Sequence, residues 1–508
     1  MSLRTRTHLG LGFLLAAASA APLLAQCPDG TPPPCAAQRP APAPNSVAVL
    51  TFENVTRDTS AQYLAEGLAD QIATRLGGVA RLAVVSRSAV RRLHSPEQQS
   101  LQQLGLTLNA AYLVSGAIRA ASGRVRVNVE AVRAATGEAV WSDAYDRAGD
   151  DLIGIEEAVA TEVAAGIGGR LSPQERRALG SRATANSAAY EQFLRGNVLL
   201  ARRTPASIQG AITAYQAATE SDPEFADAYG RLAYAYAVGT TLLPAEEPDA
   251  LLDSLLTLAR RAASRGMQRN IRSSDVWMGR AYTLATWFFW FMGTPARTDG
   301  DDSLLASLGA FRHAVELNPR NDEAWHQYGA TLSFVDDSAA LVALRRALAL
   351  DPARAVTYAD LSWTYARMGR MDRAEATLDS GLALEPELPV SYFHTLYRWA
   401  AGDTAGAVAE ARRAPEQDVE VLAVLAHDSA AIRVMDSLVA HPRFCGDATS
   451  YLLWTGRREQ SVQALLRCTP SIVTRYRLRW PTFAPLADDP RIRALRAACD
   501  SIARTRWR

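Results

Sequence analysis

The sequence predicts an α/β domain followed by an all-α solenoid of paired helices, and three observations predict it. Pro319, Pro352 and Pro386 each follow an acidic or amide residue and stand 33 and 34 residues apart, the period of a helix-turn-helix array. Before residue 171, short β-branched runs such as Val47–Leu50 and Val125–Ala134 alternate with amphipathic stretches, as in a sheet covered by helices. The 508 residues are 48% hydrophobic and 21% charged, enough apolar content for several globular units and too much for a largely disordered chain.

Within the repeats, large and small residues recur in phase. With Ala355 as position 1, Tyr358, Leu361 and Tyr365 form one apolar face of a first helix, and Gly369-Arg370 makes the turn. Ala374, Leu378 and Gly381 are the close-packing positions of a second helix that Pro386 stops. The unit resembles the tetratricopeptide repeat. Extending the register upstream finds Trp325, Tyr328, Gly329 and Leu332 with Ala340, Leu344 and Ala347, and before them Ala211, Tyr215 and Ala218. About six units are expected over residues 187–414, more than the three or so that bury a continuous core. The resemblance implies that the first helix of each unit lines a concave face, with Tyr234, Met278, Tyr282, His326, Trp363, Phe393 and Tyr397 turned inward to hold an extended peptide or partner helix. The competing reading has these rings packing between helices.

The α/β domain is expected over residues 46–171. Strands at Val47–Leu50, Leu82–Val85, Tyr112–Arg119, Val125–Ala134 and Ala139–Tyr145 are interleaved with helices at Gln62–Leu76, Ser86–Arg92, Gln99–Leu106 and Ile153–Ile167, and Ser122-Gly123 and Thr136-Gly137 mark hairpin turns. Four blocks, Val47–Asn54, Tyr63–Gln71, Tyr112–Arg119 and Ala135–Asp146, resemble the TolB-like amino-terminal domain that some bacterial proteins join to tetratricopeptide repeats. The resemblance implies a small mixed sheet with helices, used in periplasmic protein contacts. Some relatives place a kinase, a cyclase or a DNA-reading winged helix ahead of the same two modules. Residues 172–186 are expected to be a linker.

At the amino end, Arg4 and Arg6, the apolar run Leu9–Ala18 and small residues near Ala20 and Ala25 read as a secretory signal peptide over residues 1–25. An exported, periplasmic location follows, the alternative being an uncleaved or lipid-linked anchor. Residues 26–45 alternate Pro and Ala and should run as an extended tether. Cys27 and Cys35 flank its turn and are expected to pair in an oxidising compartment. Trp287–Met292 is too short to cross a bilayer and reads as a lengthened, buried solenoid helix, the alternative being a contact patch.

The chemistry the sequence excludes is broad. All 54 basic residues are Arg, so the P-loop lysine, the phosphate-pairing lysine of protein kinases and any Schiff-base lysine are missing. The formal charge of +1 gives no bulk drive toward nucleic acid. The 7 His are scattered, with no zinc spacing, Gly-rich phosphate loop or Gly-x-Ser-x-Gly elbow. No cofactor, metal site or catalytic residue is expected.

Residues 415–508 are expected to form a helical extension that caps the array, with helices at Val419–Leu425, Ala430–Val439, Thr449–Thr455, Glu459–Leu466 and Arg491–Ala503. Cys445 and Cys468 bracket a helical hairpin and are expected to bridge, with Cys499 as the alternative partner of Cys468. The functional expectation is an exported, non-enzymatic scaffold or sensor that binds other proteins or peptides. A regulatory component whose catalytic half lies on another chain is the alternative.

Overall fold

The computed structural model describes residues 42–506 apart from 57–60, 94–95, 97–98, 122, 149–150, 242–248, 292–299, 387–390, 401, 414, 416–417 and 441–448. The signal-peptide and tether segments, Cys27, Cys35 and Cys445 lie outside the described residues.

Strands β1 (Ser46–Val49), β2 (Glu53–Asn54), β3 (Ala83–Val84), β4 (Tyr112–Ala121), β5 (Arg124–Arg133) and β6 (Ala139–Ala148) form a mixed sheet of order β3-β1-β4-β5-β6, with β2 also on β4. The β1 strand runs parallel to β3 and β4, whereas β4, β5 and β6 form an antiparallel meander. The two short hairpins follow from Gly123 and Gly137, whose positive φ fits the tight turns. Helices α1 (Gln62–Gly77) and α4 (Leu152–Gly168) pack their Leu68, Ile72, Leu76, Ile155 and Val159 against Val47, Val114 and Val127 on one face. On the other face, α2 (Arg87–Arg91) and α3 (Leu101–Leu108) bring Val90, Leu104 and Leu108 to Leu113 and Val132. Each fully buried Leu or Ile here contributes about 1.5–3 kcal/mol.

The stretch expected to be a linker is structured. Ser172 and Glu175 form a capping box that starts α5 (Pro173–Leu179), and Leu179 is buried in the core. A sequence reading from composition alone misses a helix this short.

Six helical pairs follow among the described residues: α6 (Ser187–Ala201) with α7 (Pro205–Ser221), α8 (Ala226–Thr240) with α9 (Asp249–Arg269), α10 (Ser274–Phe291) with α11 (Gly300–Leu317), α12 (Asp322–Leu332) with α13 (Asp337–Leu350), α14 (Ala355–Arg367) with α15 (Met371–Leu384), and α16 (Ser391–Ala400) with α17 (Thr404–Ala411). Asn321 and Asp336 cap α12 and α13 through their side chains, and Pro352 follows the end of α13. At the α8–α10 contact a Cβ on Gly279 would lie 2.1 Å from the Gly230 carbonyl oxygen, so the two backbones touch only because both residues are glycine.

One apolar core runs from the sheet into the first repeats, because α1 and α4 also pack on α6. Gly67 of α1 marks the join, where a Cβ would meet that of Leu194 at 3.2 Å. After the repeats come α18 (Val419–Leu425), α19 (Ser429–Ala440), α20 (Thr449–Trp454), α21 (Arg458–Leu466), α22 (Ile472–Leu478), a 3-10 turn (Pro481–Leu486) and α23 (Pro490–Arg506). Cys468 is disulfide-bonded, whereas Cys499 is a free, buried thiol, which removes it as the partner of Cys468. Phe288, in the apolar run that ends α10, is fully buried edge-on against Phe334 with ring centroids 5.1 Å apart. No described helix is long and apolar enough to cross a membrane.

Candidate functional site

The side chains expected to line a groove are mostly committed to the chain itself. Tyr234 and Met278 are 1% exposed, Tyr397 3%, His326 4% and Trp363 8%. Tyr234 meets Tyr282 edge-on at 4.8 Å, and the Ser362 hydroxyl donates to the Tyr397 oxygen at 3.0 Å. The Trp363 indole donates to the Tyr476 hydroxyl at 3.0 Å, which places α22 of the tail over the repeat wall. The side chain of Phe393 lies outside the described residues. The expectation that these side chains stand open as anchors is therefore corrected for the five buried ones, and the packing alternative describes them. Their neighbours supply the reason, since ring stacking and indole hydrogen bonding are satisfied internally.

What the repeat wall offers instead is charge. Arg203 donates to the Tyr234 hydroxyl at 2.7 Å, and that hydroxyl donates to Glu323 at 2.6 Å. Arg354 bridges Glu323 at 2.5 Å and Asp322, and lies 3.6 Å from Asp351. Burial alone would raise the Glu323 carboxyl, but Arg354 and Arg203 hold it well below the usual carboxylate range. His326, hydrogen-bonded to Thr357 at 3.0 Å, is pushed down to about 3 by burial and by Arg354. Asp360, 3.7 Å from His326, is pushed up to about 7 by burial, against the pull of Arg367. The Asp360 side chain is 35% exposed and that of Arg203 is 40% exposed, so both reach solvent at the rim of this network.

The sheet domain docks on the same wall. Ser86 donates to Asp351 at 2.9 Å, and Ser88 donates to its second carboxylate oxygen. Arg92 donates to the Leu384 carbonyl and Arg320 to that of Ala80, both at 3.2 Å. Deeper in the junction, Arg75 and the Tyr190 hydroxyl both donate to the buried Glu156. Between these contacts lies a cavity of about 470 Å3 lined by Arg75, Arg87, Asp227, Arg231, Asp275 and Asn321, among others.

Three further cavities flank the tail, none of them singled out by the sequence. The first, of about 660 Å3, is lined by Asp336, Asp337, Met368, Arg475, Arg479 and Asp500 among others, and two more lie beside it. The second, of about 470 Å3, lies between the α14–α15 turn and the tail and is lined by Arg367, Arg475, Arg479, Trp480, Arg496 and Asp500. The third, of about 240 Å3, is lined by Trp363, Leu396, Tyr397, Trp399 and Trp454. Ala366 and Met371 line both the second and the third. A signal for the second was present: after Ser471, Ile472, Tyr476 and Trp480 recur every four residues, an apolar helix face. The alternating Arg475, Arg477 and Arg479 obscure it. No cluster of three or more His, Cys, Asp or Glu suited to a metal ion occurs among the described residues.

A match to one family model agrees with the repeat geometry. A tetratricopeptide-repeat family model matches residues 338–400, which span α13 to α16. A curated protein named "Putative adenylate cyclase 3", from Rhizobium meliloti (strain 1021), is 27% identical over 203 residues, covering 40% of this chain and 34% of that protein. The chain thus spans about a third of the length of that relative. Among solved structures, a thermophilic TPR protein of Thermus thermophilus is 21% identical and covers 42% of this chain and 99% of its own, with a TM-score of 0.33. A tetratricopeptide repeat protein from Parabacteroides merdae ATCC 43184 is 10% identical and covers 62% and 100%, with a TM-score of 0.32. The chain carries tetratricopeptide repeats, a fold whose general use is protein–protein interaction.

Proposed function

We propose that the chain is an exported, non-enzymatic interaction scaffold in which a TolB-like domain and a tetratricopeptide-repeat array hold different partner polypeptides. The observation that carries this reading is the repeat array fused to the sheet domain through one continuous core, which fixes two interaction modules in one orientation. On the repeats, the exposed Arg203 and the partly exposed Asp360 favour a partner that presents charged side chains over one that inserts apolar anchors. On the sheet domain, β6 is an edge strand of 10 residues, mostly solvent-exposed, whose outer side suits pairing with a partner strand. Export rests on the charged, apolar and small-residue succession of residues 1–25.

A second reading, a regulatory component of a signalling system with its catalytic part on another chain, is favoured by the curated relative named for adenylate cyclase. The two separate in one experiment on the purified chain. The scaffold reading expects no cyclic AMP from ATP and Mg2+, and expects cross-linking in envelope extracts to capture partners that Asp360→Arg releases while circular dichroism shows the variant still folded. Cyclic AMP accumulating in proportion to added protein would overturn the non-enzymatic reading. Capture unaffected by Asp360→Arg would remove the repeat wall as the contact.

A further inference from the structure

The cavity between the α14–α15 turn and the tail is built from cations. Arg367 sits at the end of α14, Arg475 and Arg479 in and just after α22, and Arg496 on α23. Four guanidiniums meet two carboxylates here: Asp337, which accepts from Arg367 at 2.8 Å and pairs with Arg479, and Asp500, which accepts from Arg475 at 2.6 Å. Asp336 stands near Arg479 but caps α13 with its side chain.

The donors are not all used. Nη1 of Arg367, Nη1 of Arg479, Nε of Arg496 and the indole Nε1 of Trp480 are buried and have no hydrogen-bond partner among the described residues. The side chain of Arg367 is fully buried. Burial lowers Arg367 and Arg479 from the ordinary guanidinium range, against Tyr476 and Asp360 beside the first and Asp336 and Asp500 beside the second. A helix-to-helix staple would use these N–H groups internally, because a buried unpaired donor destabilises the fold.

The neighbouring chamber differs in chemistry. Beyond Ala366 and Met371 it is walled by Trp363, Leu396, Tyr397, Trp399 and Trp454, with Trp399 and Trp454 edge-on at 4.7 Å. Its volume of about 240 Å3 suits one or two fused aromatic rings.

We propose that the tail cavity is a binding site for an organic anion, a carboxylate or phosphate monoester whose aryl body occupies the adjoining aromatic chamber. The anionic oxygens accept from Arg367, Arg479, Arg496 and Trp480, and the rings stack on Trp399 and Trp454. The cavity has a lining of its own, distinct from the Arg203–Asp360 rim invoked for partner binding, although Asp360 and Arg367 share α14 and attract each other.

The test is calorimetric titration of the full chain with 2-naphthoate, 2-naphthyl phosphate, 2-naphthamide and inorganic phosphate. At least one of the two aryl anions should bind about tenfold or more tightly than the neutral amide, since hydrogen bonds to charged groups are the strong ones. The better of the two identifies the oxygen-bearing group. Arg496→Gln, at a half-buried position, should weaken that anion about tenfold and lower Tm only modestly, through the lost bonds of its Nη2 to the Leu478 and Phe483 carbonyls. Trp399→Ala should weaken the aryl anions while leaving inorganic phosphate as it was. Equal binding of acid and amide, no binding of either anion up to about 1 mM, or an affinity indifferent to Arg496→Gln would overturn the proposal. Both variants leave Arg203 and Asp360 in place, so failure of anion binding leaves the partner-release test on Asp360→Arg standing.

Discussion

Trp363 and Tyr476 are 113 positions apart in the chain and joined by a 3.0 Å hydrogen bond from the indole N–H to the phenol oxygen. The ring of Tyr476 also stacks on Phe334 at 4.2 Å, and Trp480 meets Trp363 edge-on at 5.5 Å. The tail is thereby part of the repeat wall. Tyr476→Phe should cost about 0.5–1.5 kcal/mol of unfolding free energy, and Trp363→Ala about 3–5 kcal/mol. A double-mutant cycle combining Tyr476→Phe with Trp363→Phe, read by urea denaturation, should give a coupling above about 0.5 kcal/mol. Strict additivity would show that the contact is absent in solution.

His326 and Asp360 give stability two opposing pH dependences. The imidazole titrates at its ordinary 6.5 when unfolded and about 3 when folded. Below pH 6.5 the unfolded state takes up a proton that the folded state refuses, so stability falls toward pH 3 by up to about 1.4 kcal/mol per pH unit. Asp360 moves from 3.8 to about 7 on folding, so its contribution is full below 3.8 and lost as pH rises through about 7. Urea midpoints at pH 7.5, 6 and 4.5 should show a shallower acid loss for His326→Gln and a steeper one for Asp360→Asn. Parallel profiles for all three proteins would contradict the burial of His326 and the desolvated setting of Asp360 beside it.

Gly279 and Gly309 should respond oppositely to the same substitution. At Gly279 an added methyl meets the Gly230 carbonyl, and Gly279→Ala should destabilise by about 1–3 kcal/mol as α8 and α10 are forced apart. At Gly309 in α11 nothing lies within 4 Å of the added Cβ, so Gly309→Ala should stabilise by up to about 1 kcal/mol through helix propensity alone. Thermal unfolding of the two variants side by side is the check.

Asp351 ties the sheet domain to the repeats through Ser86 and Ser88 while facing Arg354. Asp351→Asn removes the charge from a fully buried acceptor and should cost about 1.5–3 kcal/mol. Hydrogen exchange should speed up in α2 as well as at the start of α14. Faster exchange in α14 alone would mean that the serines do not depend on this carboxylate.

What the sequence disclosed was whatever repeats or alternates locally. The spacing of Pro319, Pro352 and Pro386 located α12 to α15, and Val125–Ala134 located β5 to within a residue. Burial of Trp363 was not legible, because its partner is neither a repeat neighbour nor in phase with the period but belongs to a seven-residue helix, Ile472–Leu478, in the part of the chain where the period fades. The same holds for the arginines of the tail cavity, which converge from α14, α22 and α23 and form no motif along the chain. Short pieces such as β2 and α5 were missed because two strand residues or about two helical turns carry too little periodicity to read.

With Leu194 seated against Gly67, and Tyr190 reaching Glu156 from the first repeat helix, the amino-terminal domain shields the solenoid's first helix while it also leans on later turns through Asp351. Residues 172–186 are then a poor place to cut: either fragment would present to water a face that the intact chain keeps dry, and neither is expected to survive as an independent part.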